Sequence, residues 1–106
     1  MVTLLHTDSS KSIEVQSGDT VVVRLDENPT TGFQWAIDKS NDAILTLQDS
    51  DYAPAPDSRV GGGGQRVFTF KAQKAGAVDL QLKLWRQWEG DQSITDRFVV
   101  ILQIRG

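Results

Sequence analysis

The stretch Val78-Asp79-Leu80-Gln81-Leu82-Lys83-Leu84-Trp85 decides the fold class. Its apolar residues recur at every second position, the period of a strand with one face on a core and the other in water. The same period continues on either side of it. Phe68 and Phe70 alternate with Val67, Thr69 and Lys71. Phe98, Val100, Leu102 and Ile104 share one face, and Val99 and Ile101 make the opposite face apolar as well, as expected of a central strand. Val21–Leu25 is a β-branched run between Gly18-Asp19 and Asp26-Glu27-Asn28-Pro29 and reads as a further strand. Weaker strand signals lie at Val2–Leu5, Ser12–Val15, Gln34–Asp38 and Ile44–Asp49. Glycines at 18, 76 and 90 mark turns, and at most one helical turn is expected, near Ser40–Ala43. Seven or eight short strands divided by turns predict an all-β fold, an Ig-like β-sandwich, with a closed barrel as the other topology of similar strand count.

Length and composition bound the rest. A chain of 106 residues is one domain, 1–106, with no room for a second core. It should bury roughly 60–70% of its unfolded surface, enough to fold without disulfide or structural metal. There is no cysteine, which excludes thiolate nucleophiles, iron–sulfur clusters and cysteine-ligated zinc. Fourteen acidic and eleven basic residues give a net charge of −3, unsuited to gripping a phosphate backbone, so no nucleic-acid partner is expected. No apolar run approaches the ~20 residues of a membrane helix. Met1–His6 has no basic start, so no signal peptide is expected. The chain reads as cytoplasmic, or as periplasmic or secreted if it is a mature form with an added Met1.

Enzyme chemistry finds little support. The one histidine, His6, lies in an edge-like segment and reads as a surface residue, so no catalytic residue is assigned. Asp49, Asp51 and Asp57, and likewise Glu89 and Asp91, read as solvated loop charges. Their spacing matches no dedicated calcium loop, so no metal and no cofactor is expected. The glycine run Gly61–Gly64 precedes a strand rather than a helix, which excludes a nucleotide-phosphate cradle.

Three loops are unusual for a compact domain. Asn28–Gly32 is a polar connection. Tyr52–Gly64 is long, with Pro54, Pro56 and four consecutive glycines. Trp85–Asp91 places two tryptophans around Arg86 and Gln87 at a hairpin tip. Trp35 reads as a core anchor, Trp85 as a cap on the end of the sandwich, Trp88 as an exposed recognition residue, and Arg86 alone as a solvated charge. Loops of this kind gathered at one end of a sandwich make a binding edge. The residues alone name no target.

Asn28-Pro29-Thr30-Thr31-Gly32-Phe33, with Trp35 just after, resembles the NPTTG(Y/F)xW signature of chagasin-type inhibitors of papain-family cysteine peptidases. Gly61-Gly62-Gly63-Gly64 matches that family's GxGG loop, and Arg86-Gln87-Trp88 its RPW loop with glutamine in place of proline. The resemblance implies a reversible, competitive inhibitor of papain-like or cathepsin L-like peptidases that is monomeric when free and inserts the three loops as a wedge into the active-site cleft. It places Thr30 and Thr31 near the peptidase's catalytic cysteine, the glycine loop along the non-primed subsites, and Trp88 on the primed side. Asn28 and Gly32 are expected to shape the first loop, Asn28 through an Asx-type turn. The alternative is a carbohydrate- or ligand-binding module using Trp85 and Trp88 as a stacking platform.

Overall fold

In the computed structural model, described for residues 1–54 and 63–106, eight strands form two four-stranded sheets. The strands are β1 (Val2–Leu5), β2 (Ser12–Gln16), β3 (Thr20–Glu27), β4 (Gln34–Lys39), β5 (Leu45–Pro54), β6 (Gly64–Ala72), β7 (Gly76–Trp85) and β8 (Asp96–Arg105). One sheet has the order β1-β3-β6-β5 and the other β2-β8-β7-β4. The first two strands each add in parallel to a sheet edge, β1 on β3 and β2 on β8, and every other pairing is antiparallel. This is the expected Ig-like sandwich.

The alternation read from sequence sets the core. Val78, Leu80 and Leu82 of β7 face Phe68, Phe70 and Ala72 of β6 and Val21, Val23 and Leu25 of β3 across the sandwich, all buried. Phe98, Val100, Leu102 and Ile104 are buried on one face of β8, while Val99 and Ile101 are half-buried on the other. Strand β8 lies between β2 and β7, the central place its two apolar faces predict. Trp35 is 5% exposed and is a core anchor.

Three expectations change. Strand β5 runs on to Pro54 and β6 begins at Gly64, so Tyr52–Pro54 and Gly64 are paired strand rather than loop. The register Tyr52↔Arg66, Ala53↔Gln65 and Pro54↔Gly64 overrides a local sequence marked by proline and glycine. The helical turn expected near Ser40–Ala43 is a hydrogen-bonded turn, in which the Asn41 carboxamide accepts the Ala43 N–H. Four single turns of 3-10 helix occur elsewhere, at His6–Asp8, Pro29–Thr31, Gln87–Glu89 and Asp91–Ser93. Each is three residues long, too short for a periodic signal.

Edge strand β5 has a particular finish. The Ala72 backbone bonds toward β3 and the Gln73 N–H toward Ile44, so by alternation residues 49, 51 and 53 of β5 bond inward to β6. The N–H groups of Ser50 and Tyr52 therefore point outward, and each is met by the carboxylate just before it, Asp49 at 2.9 Å and Asp51 at 2.8 Å. The next outward position is Pro54, which has no N–H.

Candidate functional site

The links β3–β4, β5–β6 and β7–β8 all leave the sandwich at the same end, because Glu27 pairs with Gly64, Gln34 with Trp85 and Leu84 with Asp96. The loop 28–33 is in the middle. Its polar sequence folds on itself. The Asn28 carboxamide accepts the Thr30 N–H (3.1 Å) and the Thr30 hydroxyl (2.7 Å). The Asn28 carbonyl accepts the Thr31 N–H (3.2 Å) and the Thr31 hydroxyl (2.8 Å). This is the Asx-type turn expected of Asn28. Gly32 follows at φ +79°, a left-handed conformation that favours glycine.

The third loop closes against the first. The Arg86 guanidinium donates to the Thr31 carbonyl through Nε (3.3 Å) and Nη2 (3.1 Å), sits 4.4 Å from the centre of the Phe33 ring, and pairs with Glu89 at 3.2 Å. Arg86 is thus the tie between two loops, which corrects its reading as a solvated charge. The contact joins residues 55 positions apart and leaves no local trace in the sequence. Ser93 accepts the Arg86 N–H at 3.0 Å and closes the loop from its far side. Trp88 is 73% exposed, and a Cβ placed on Gly32 would lie 3.0 Å from its indole. Gly32 is therefore the floor on which the Trp88 ring rests.

Below this loop, Trp85 is half-buried. The Lys83 ammonium lies 3.6 Å over its ring and is shared by Asp38 (3.3 Å) and Asp91 (3.2 Å). Arg97 donates to Asp38 at 2.9 Å, and this bond, with the one from Lys83, holds the Asp38 carboxyl below its ordinary pKa of 3.8. Lys83 is buried although it points away from the core, because its ammonium is covered by Trp85 and held by Asp38 of β4. Trp85 and Trp88 line one depression together with Trp35, Ala36, Gly32, Gln34 and Gln87, but Lys83 already covers a face of Trp85.

On the other flank, Gly63 backs onto the central loop. A Cβ there would lie 3.2 Å from the Glu27 carbonyl and 3.6 Å from Asn28. A Cβ on Gly64 would run into the Ala53 carbonyl, with Pro54 Cα and the Tyr52 hydroxyl at 2.8 Å, so only glycine fits this paired position. Gly61 and Gly62 lie outside the described residues.

Beneath the first two loops is a group the sequence reading missed. Glu27 follows Val21, Val23 and Leu25 in phase, so strand period turns it inward, and its side chain is 0% exposed. Its carboxylate accepts the Trp35 N–H (2.7 Å) and is gripped by Arg66 through Nη2 (2.7 Å) and Nε (3.1 Å). Arg66 is in phase with Phe68 and Phe70 and is 20% exposed, while the Trp35 indole donates to the Asp26 carbonyl at 2.9 Å. The phase of β3 carried the signal, but the run Asp26-Glu27-Asn28-Pro29 reads as a turn.

The other candidates lead elsewhere. His6 is exposed and bonded to Asp96 at 2.8 Å. Asp49 and Asp51 are engaged by backbone N–H groups, and Asp57 lies outside the described residues. Among the described residues no group of three or more metal-ligating side chains is found, and no helix is long and apolar enough to cross a membrane.

The edge can therefore be set beside known proteins. The family model described as chagasin family peptidase inhibitor I42 matches residues 14–102, a span that takes in all three loops. Chagasin of Trypanosoma cruzi is 30% identical over 107 aligned residues, covering 96% of this chain and 94% of chagasin. The cysteine protease inhibitor EhICP2 of Entamoeba histolytica superposes with a TM-score of 0.86 at 20% identity, over 98% of this chain and 94% of that one. PbICP-C, solved in complex with falcipain-2, superposes with a TM-score of 0.73 at 11% identity, over 99% of this chain and 100% of that one. At such identities the two structures speak for the fold, and the family match speaks for the family. The chain belongs to the chagasin family of peptidase inhibitors.

Proposed function

We propose that this chain inhibits papain-family cysteine peptidases reversibly and competitively, by seating the edge built from residues 28–33, 63 and 86–88 in the active-site cleft. The observation that carries this reading is the cross-bracing of the edge: Arg86 holds the Thr31 carbonyl, Gly32 supports Trp88, and Gly63 backs onto Asn28. A braced edge has little conformational freedom left to lose on binding, which favours affinity.

The same geometry explains occlusion without cleavage. A peptidase of this class attacks the carbonyl of an extended peptide. Residues 29–31 instead form a 3-10 turn, with the Asn28 carbonyl holding two donors and the Thr31 carbonyl held by the Arg86 fork. A thiolate placed there meets threonine side chains and a closed turn, with no aligned scissile bond. Gly63, having no side chain, lets its strand lie close against Asn28 and the Glu27 carbonyl. Trp88 offers a broad apolar face with few torsions to freeze, and burying its exposed portion is worth about 3–4 kcal/mol at most.

The test is a titration of papain and of a cathepsin L-like peptidase against a fluorogenic substrate. The parent should inhibit competitively, Trp88→Ala should inhibit about 30-fold less well or worse, and Thr31→Arg/Trp88→Ala should be weaker still. Absence of inhibition by folded parent protein at micromolar concentration would overturn the reading.

A further inference from the structure

We propose that Glu27 and Arg66 are positioning residues that set the central loop and the glycine strand at a fixed angle for inhibition. The inference rests on the function proposed above and goes beyond it, since neither residue belongs to the three loop motifs.

Glu27 is the last residue of β3 and immediately precedes Asn28. Its carboxylate receives the N–H of Trp35, so one side chain binds both stems of the central loop, at residues 27 and 35. The same carboxylate is gripped at two atoms of the guanidinium of Arg66, two residues beyond Gly64. Its backbone carbonyl faces Gly63. A single residue thus touches the entry of the first loop, its exit and the stem of the second. Arg66 extends the joint to the edge strand, its guanidinium lying 5.8 Å from the Tyr52 ring.

Stability alone does not account for this pair. A buried ion pair seldom outperforms apolar residues of similar volume, because desolvation offsets the attraction. The fork-to-carboxylate contact supplies direction: Nη2 and Nε converge on Oε2 while Nε also reaches Oε1 at 3.3 Å, which fixes a distance and an angle that apolar packing leaves loose. The layer beneath a binding edge is where such a constraint matters. Phe68 and Phe70, deeper in the same strand, are apolar.

The informative variant is Glu27→Gln/Arg66→Met. The introduced carboxamide keeps an acceptor for the Trp35 N–H, the introduced thioether chain fills the volume of the guanidinium, and no charge is left buried without a partner. The variant should fold, with Ki against papain raised about tenfold or more. The amide resonances of Thr30, Thr31 and Gly63 in the free protein should shift, a change that a purely stabilising role would not produce. Arg66→Lys, which keeps the charge and loses the fork, should fold and show the same shifts at smaller amplitude. Folded variants with Ki within about twofold of the parent and unmoved loop amides would overturn the proposal. If the double variant does not fold, Arg66→Lys decides by the same two readouts. If the parent itself fails to inhibit, the functional reading fails, and the loop-amide shifts still test the joint independently.

Discussion

Replacing Gly32 with alanine separates loop strain from loss of contact. Gly32 has φ +79°, where an L side chain costs about 1–2 kcal/mol. For a domain of this size that corresponds to a fall in Tm of about 4–16 °C. The new Cβ would also stand 3.0 Å from Cη2 and 3.3 Å from Cζ2 of Trp88, so the indole must move by a few tenths of an ångström. The backbone strain is present in the free and the bound inhibitor alike and cancels from the inhibition constant. The displaced indole does not cancel, and it should raise Ki by about three- to tenfold, less than Trp88→Ala. Gly18→Ala is the control. Gly18 also has positive φ, at +96°, but a Cβ there meets nothing within 4 Å, and it lies at the β2–β3 turn, the other end of the sandwich. It should lower Tm and leave Ki unchanged. The assay is a thermal melt paired with papain titration for both variants. A Gly32→Ala protein melting within about 1 °C of the parent would refute the left-handed assignment. Equal Ki changes in both variants would refute the contact argument.

Three further outcomes follow from the same structure. Gln87 opens a 3-10 turn, where its N–H is not needed by the turn, and Arg86 before it is already extended (φ −101°, ψ 113°), so Gln87→Pro should stabilise by about 0.4–1 kcal/mol and slow dissociation from papain; faster dissociation refutes it. Because Arg97 and Lys83 depress the Asp38 carboxyl, its stabilising contribution is present above the unfolded carboxylate pKa and is lost as pH falls through the lower folded value. Melting temperature should therefore hold from neutral pH to about pH 5 and drop below about pH 4, with a shallower drop in Asp38→Asn; identical acid profiles refute the assignment. Asp49→Ala/Asp51→Ala uncovers two outward N–H groups, so sedimentation should show concentration-dependent association absent from the parent, and a strictly monomeric variant would refute it.

The parts of the molecule legible in sequence are those governed by period two and by local turn chemistry. Strands β3, β6, β7 and β8 bury one alternating face each, and Asn28 closes a turn on its own neighbours. What escaped was settled by contacts across the chain. The end of β5, with Asp49, Asp51 and Pro54, has the composition of a loop and becomes a strand because β6 supplies its register. Arg86 finds its partners at Thr31 and Phe33 only once the sheets bring the loop tips together. Glu27 was in phase with the core residues before it, but a carboxylate in a turn-like run reads as solvated until Arg66 arrives from β6.

The finish on strand β5 has a consequence for survival beside a peptidase. Papain-like clefts take up extended chain by pairing with its exposed backbone, as sheets capture an added strand. The longest edge strand among the described residues, β5, is extended chain of just that kind. With the Ser50 and Tyr52 donors satisfied from within and Pro54 offering none, residues 50–54 present no outward N–H for a cleft to grasp. In the proposed mode of inhibition the cleft is met by a closed turn, while residues 50–54 give it no outward donor to pair with.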